Sequence, residues 1–184
     1  KEIRIRISSV GSTMQITSAM KMVSASKLKR AQDAITQMRP YAIKLTELLV
    51  NLSSTLDSSE GGAYSENRDV KKVLLVTITS NRGLCGGFNA NIIKSAVSLI
   101  NNDFKEKNVS LISIGKKSSE FFKKNGYNLV NSFDDIFSDL TYDKTSIISE
   151  SIMSEFLSGS YDKVVLVYNQ FKKGGRIKIE MQLE

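Results

Sequence analysis

The chain has 184 residues, one ordinary domain or one domain with an appendage, and carries 26 Lys and Arg against 19 Asp and Glu for a net charge of +7. It contains no histidine and one cysteine, Cys85, which excludes imidazole-based triads, histidine-ligated metal sites, zinc knuckles and an intrachain disulfide. An apolar share of 41% suffices for a packed core, no run of about 18 apolar residues suggests a membrane-spanning helix, and the opening KEIRIRISSV is too charged for a signal peptide.

Residues 1–52 hold 9 Lys and Arg against 3 Asp and Glu, whereas the rest hold 17 against 16. The basic character therefore belongs to the first segment, and an acidic partner is expected there. This segment contains no turn cluster and only one proline, Pro40. Steps of four and three from Ile3 pass through Ile7, Val10, Met14, Thr17, Lys21, Ser24, Leu28, Ala31, Ile35, Met38, Ala42, Leu45, Leu49 and Leu52. That is a coiled-coil-like seam on one long helix of about 78 Å. The seam lapses at Thr17, Lys21 and Ser24, where a second stripe of Ile16, Met20 and Val23 runs one position out of register. This reads as a local stutter that turns the apolar face to another neighbour. Pro40 is expected to kink the helix and Gly11 to soften it. Such a helix needs a second helix or a partner to cover its stripe.

Residues 53–69 are rich in Ser, Gly and acid and read as a linker, with the shaft helix assigned to 1–56, the linker to 57–69 and the second domain to 70–184. Beyond it, strands are expected at 73–79, 109–115, 127–131 and 163–169, and helices at 88–107, 117–125 and 143–158. The closing RIKIEMQLE alternates like an amphipathic strand at an edge or in a hairpin. Alternating strands and helices predict an α/β domain built on a mostly parallel sheet with Rossmann-like layering.

The stretch SNRGLCGGFN, residues 80–89, sits after the first strand and opens a helix, where α/β proteins hold phosphates. Its Gly83, Gly86 and Gly87 give G-x-x-G-G, not G-x-G-x-x-G, and no G-K-S or G-K-T ending follows. Ile114, Gly115 and Lys116 stand where a ribose-binding acid is expected. Spacing thus favours a tight strand-to-helix turn in which the three glycines serve the backbone. A nucleotide-dependent Rossmann-type enzyme using the loop from Gly83 to Gly87 remains the alternative. Cys85 near a helix N-terminus suits a nucleophile, but without a histidine base a packing or surface thiol fits better, and one thiol accords with a reducing compartment. A nucleic-acid binder is disfavoured, because the basic residues interleave with an apolar seam and no aromatic platform accompanies them.

The opening KEIRIRISSVGSTMQITSAMKMVSASKLKRAQ, the loop SNRGLCGGFN, RPYA at 39–42 and RDVKKVLLV at 68–76 together resemble the gamma-subunit family of F-type ATP synthases. The resemblance spans the chain and is strongest over residues 1–92. It implies a coiled coil of two long helices plus a Rossmann-like domain that binds no nucleotide, and a non-catalytic shaft with no cofactor of its own. It implies as partners the alpha and beta subunits of the catalytic head, an epsilon subunit and a membrane ring of c subunits. A peripheral position on the cytoplasmic face of a bacterial inner membrane follows from it. Met20, Lys21 and Met22 match the family's contact zone with an acidic loop of the beta subunit. Lys27, Lys29 and Arg30 are further contacts by the same resemblance, and Arg82 and Cys85 match loop positions near a beta subunit. The family's chain continues into a second long helix, whereas this sequence stops at Glu184. A truncated chain is therefore expected, with the stripe of residues 1–52 covered by self-association or by folding back on the sheet domain.

Overall fold

The computed structural model describes residues 1–55, 64, 68–171 and 177–183, of which 53–55 and 177–183 are described by their backbone alone. Two compact units are present, Lys1–Gly61 and Gly62–Glu184. The expected linker at 57–69 lies mostly outside the described residues.

The first unit is one helix, α1 (Glu2–Thr55). At 1.5 Å per residue, its 54 residues extend about 81 Å. It runs through Pro40 unbroken. The hydroxyls of Ser12, Thr13, Thr17, Thr36 and Thr46 each donate to a carbonyl four residues earlier, so these polar residues satisfy themselves within the helix. The apolar seam faces solvent along its length, with Ile3 at 76%, Met14 at 68% and Leu49 at 58% exposure. A helix this long has no core of its own, and its pattern fits a coiled coil.

The second unit is a five-stranded sheet of order β3-β2-β1-β4-β5. The strands are β1 (Lys72–Ile78), β2 (Asn108–Ile114), β3 (Leu129–Phe133), β4 (Lys163–Phe171) and β5 (Ile177–Leu183). The first four pair in parallel and β5 pairs antiparallel with β4 at the edge. The helices are α2 (Phe88–Asn101), α3 (Lys116–Lys124) and α4 (Tyr142–Leu157), with a short 3₁₀ turn at Ile136–Ser138. β1 is central and buried on both faces, which explains its unbroken apolar run Val73 to Val76. Val73 and Leu75 join Ile92, Ala96 and Leu99 of α2 and Phe122 of α3 in the larger core. Leu74 and Val76 point the other way, with Ile112, and are packed by Ile152 of α4. The layering is helices on both faces of a mostly parallel sheet.

Most element boundaries lie one or two residues from the sequence reading, and the shifts at α2 and β3 have a visible cause. The helix expected to reach residue 107 ends at Asn101, because Asn101, Asn102 and Asp103 favour caps over helix interior. The amide of Phe104 then bonds the carbonyl of Leu99, which brings Phe104 into the core. The third strand begins at Leu129, not 127, since Gly126 turns at φ 71° and Tyr127 packs edge-on against Phe122.

At the start of β1 the Asp162 carboxylate accepts from the amides of Lys72 at 2.7 Å and Lys71 at 2.9 Å, while its own amide donates to the Lys72 carbonyl at 2.9 Å. This clip fixes the β1–β4 register, and the Lys72 and Lys71 amides hold the carboxyl below its usual range. A depressed folded-state pKa contributes stability above the unfolded value of about 4 that is lost as pH falls through the folded one. Asp162→Asn should therefore lower the urea midpoint at pH 7, and the gap to wild type should close as the pH is taken below about 4, in denaturation curves at several pH values.

Candidate functional site

In open α/β sheets ligands gather beyond the carboxyl ends of the strands, where the strand order reverses. Here the chain leaves β1 for β2 and β3 on one side and returns to β4 on the other. The residues above that point are 79–91, 115–119 and Asn169.

The side chain of Asn89, 8% exposed on the first turn of α2, ties this loop together. Its Oδ1 accepts from the Ser80 amide at 2.9 Å, and its Nδ2 donates to Ser80 Oγ at 2.9 Å, the Arg82 carbonyl at 3.1 Å and Cys85 Sγ at 3.2 Å. Ser80 Oγ also donates to the Arg82 carbonyl at 2.7 Å. The side-chain polar groups of Ser80 and Asn89 are thus engaged within the loop itself. Asn169 closes the other side, where its Nδ2 donates to the Phe88 carbonyl at 2.9 Å and its Oδ1 is buried without a hydrogen-bond partner.

The start of α3 is filled in the same way. The Lys116 amide donates to Asn81 Oδ1 at 2.9 Å, the Lys117 amide to the Ser80 carbonyl at 3.3 Å and the Ser118 amide to Thr79 Oγ1 at 3.0 Å. Asn81 Nδ2 donates to the Asp134 carbonyl. Lys116 and Lys117 are drawn to Glu120 at 3.9 and 3.0 Å, and the hydrogen bond from Lys117 holds the Glu120 carboxyl below its usual range. The position where a nucleotide's ribose or phosphate would meet α3 therefore offers no free amide and no unpaired cation.

An open cleft of about 340 Å³ lies between α4 and β4, lined by Ile152, Phe156, Val164 and Leu166 among others, and is apolar. A second, of about 540 Å³, lies beside the loop and is lined by Ile78, Thr79, Ser80, Asn81, Arg82, Phe88, Phe137 and Ser138. Arg82 is its one charged lining residue. Among the described residues no group of Cys, Asp or Glu is placed to hold a metal ion. Neither cleft brings together an acid and a base or an activated nucleophile.

The sequence-named loop residues separate into two sets. Arg82 and Cys85 are exposed on the outer part of the loop, and the Arg82 guanidinium makes no ion pair among the described residues. Of the glycines, only Gly86 takes a positive φ, 58°. Gly87 caps α2 at φ −78° and Gly83 has open space around it. The link is longer than a tight turn, because residues 79–87 separate β1 from α2. The sequence reading missed Asn89, whose one signal was an amide side chain in the first turn of a mainly apolar helix that also carries Asn91. It also missed Leu84, a non-glycine residue at φ 58° whose side chain is fully exposed.

On α1, Met20, Lys21, Met22, Lys27, Lys29 and Arg30 are all exposed. They do not form one patch. At about 100° per residue, Met20 and Lys27 share one side, Met22 and Lys29 the opposite side, and Lys21 and Arg30 lie between them on the two flanks. Charge and sulfur therefore ring the helix at this level.

Comparison with known proteins fits this picture. The family model described as ATP synthase matches residues 1–183. The chain belongs to the ATP synthase gamma family. It is 56% identical over 172 residues to the ATP synthase gamma chain of Christiangramia forsetii, covering 94% of this chain and 60% of that one. It is 57% identical over 172 residues to that of Flavobacterium johnsoniae, with 94% and 59% covered. The chain thus spans about 60% of the length of these curated relatives. Among solved structures it is similar to the central stalk and c-ring of Tetrahymena thermophila mitochondrial ATP synthase, at a TM-score of 0.73 and 27% identity over 92% of this chain and 71% of that one.

The close approach of β1 to α3 gives a direct test. A β-carbon on Gly115, at φ 105°, would stand 2.1 Å from the Thr79 carbonyl oxygen, which is backbone and cannot swing aside. Gly115→Ala should cost about 3 kcal/mol or more, read as a lowered urea midpoint with the slope unchanged.

Proposed function

We propose that this chain acts as the central shaft of an F-type ATP synthase and does no chemistry itself. The supporting observation is the family match over residues 1–183 together with a 54-residue helix that exposes its apolar seam. In the assembled protein a second helix covers that seam, and the pair stands inside a head of alpha and beta subunits. Each beta subunit meets a different side of the shaft. Because charge and methionine ring α1 at residues 20–30, every orientation presents some contact, but never the same one. Ligand affinity in a subunit can shift only by as much as its partner binds its states differently. An asymmetric shaft supplies that difference to three chemically identical sites in turn.

In this reading Met20, Lys21, Met22, Lys27, Lys29 and Arg30 meet an acidic element of the beta subunits, and Arg82 and Cys85 dock the loop against the head. The lower end engages an epsilon subunit and the ring of c subunits, whose ion flow drives the rotation. The protein then sits peripherally at the cytoplasmic face of a bacterial inner membrane, in accord with the absence, among the described residues, of any helix long and apolar enough to cross one.

The test is reconstitution. Alpha and beta subunits lacking gamma are mixed with this chain extended to the full length of its relatives, and ATP hydrolysis is followed. Restored turnover is expected, and turnover no higher than that of the alpha–beta mixture alone would reject the proposal.

A further inference from the structure

Leu84 stands in a backbone conformation that its side chain disfavours. At φ 58° it is the one non-glycine residue with positive φ among the described residues. The β-carbon of an L-residue crowds the neighbouring carbonyl there, and glycine or asparagine would adopt it at less cost. Strain of this kind persists when something else repays it. Among the described residues nothing does: the Leu84 side chain is 105% exposed and projects into open space. The loop does not need a bulky residue to hold its shape, because Asn89 fixes it through Ser80, the Arg82 carbonyl and Cys85.

The rest of the loop is arranged around that projection. Gly83 and Gly86 flank the Leu84–Cys85 pair without side chains, which leaves Leu84 a clear approach. Two residues before it, Arg82 is exposed and its guanidinium has no ion-pair partner among the described residues. No acidic residue occurs from 79 to 94. A single apolar tip beside an unpaired cation is complementary to an apolar socket with a carboxylate at its rim. Buried anchors flanked by polar pairs of this type carry most of the energy of protein interfaces.

We propose that Leu84 is the anchor of the loop, seated on assembly in an apolar socket of a partner protein whose rim carboxylate pairs with Arg82. This deepens the proposed function and rests on it, the partner surface being the catalytic head. The strained backbone of the free chain is repaid only in the complex. Leu84 is thus a residue that costs the free protein stability and serves binding alone.

The test is Leu84→Asn, with Leu84→Met as the conservative control, both in the full-length subunit. Two quantities are measured: the melting temperature of the free subunit and its dissociation constant for an alpha–beta head lacking gamma. Asparagine accepts the left-handed backbone but cannot fill an apolar socket. The expected result for Leu84→Asn is a melting temperature unchanged or raised by about 2 °C together with binding weakened about tenfold, while Leu84→Met stays within threefold of wild type. Binding of Leu84→Asn within threefold of wild type overturns the inference while the functional reading stands. A melting temperature lowered by more than about 3 °C also overturns it, since Leu84 would then be holding the fold of its own chain. A head that captures no wild-type subunit overturns the functional reading and the inference with it.

Discussion

Thr79 and Gly115 lie so close that the Thr79 carbonyl occupies the space a side chain at 115 would need. Around this contact the Thr79 amide bonds the Ile114 carbonyl at 2.8 Å, and Thr79 Oγ1 meets Ser118 Oγ at 2.9 Å. The carboxyl ends of β1 and β2 and the first turn of α3 are locked into one polar knot. In a sheet of this topology that corner is where a dinucleotide would be read. Here the knot engages the Thr79 and Ser118 hydroxyls and the first amides of α3. The scaffold keeps the strand order of a nucleotide binder while its own side chains occupy the corner. What remains outward is the loop 82–86, stiffened from behind by Asn89 and bare of internal contacts in front.

The long helix obeys the opposite constraint. The sheet unit buries its apolar residues on both faces of β1, whereas α1 leaves Ile, Leu, Val and Met exposed over its whole length. Removing one such side chain from water is worth about 1.5–3 kcal/mol, so a seam of this length represents a large free energy left unclaimed by α1 alone. A helix so patterned is stable and soluble only in company. The two units therefore differ in kind: one is closed upon itself, and the other is half of an interface.

Much of this was legible from residue order. The seam from Ile3 to Leu52 announces the helix, the alternation of apolar runs announces the sheet, and the alternation in RIKIEMQLE suits an edge or a hairpin, of which β5 takes the edge, antiparallel to β4. The helix expected over 88–107 stops at Asn101 although Phe104 continues the apolar spacing of Val97 and Ile100, and tertiary packing turns Phe104 inward from a broken turn. The loop was harder. The glycine spacing lacks a phosphate fingerprint, and it gives no sign of Asn89 or Leu84 either. The role of Asn89 is set by four hydrogen bonds to residues 80–85, and the strain at Leu84 by backbone geometry, and neither leaves a mark in composition or periodicity. The six named positions on α1 are close in sequence, and the 3.6-residue turn distributes them around the helix.

Central to this account is a corner at the carboxyl ends of β1 and β2 whose polar side chains bond one another. The most direct measurement is isothermal titration of the chain with ATP, ADP and NAD. The account predicts no saturable heat up to roughly millimolar ligand, the weak end of specific affinities. Micromolar binding abolished by Arg82→Ala would contradict it, because the loop would then be a ligand site and not a docking surface.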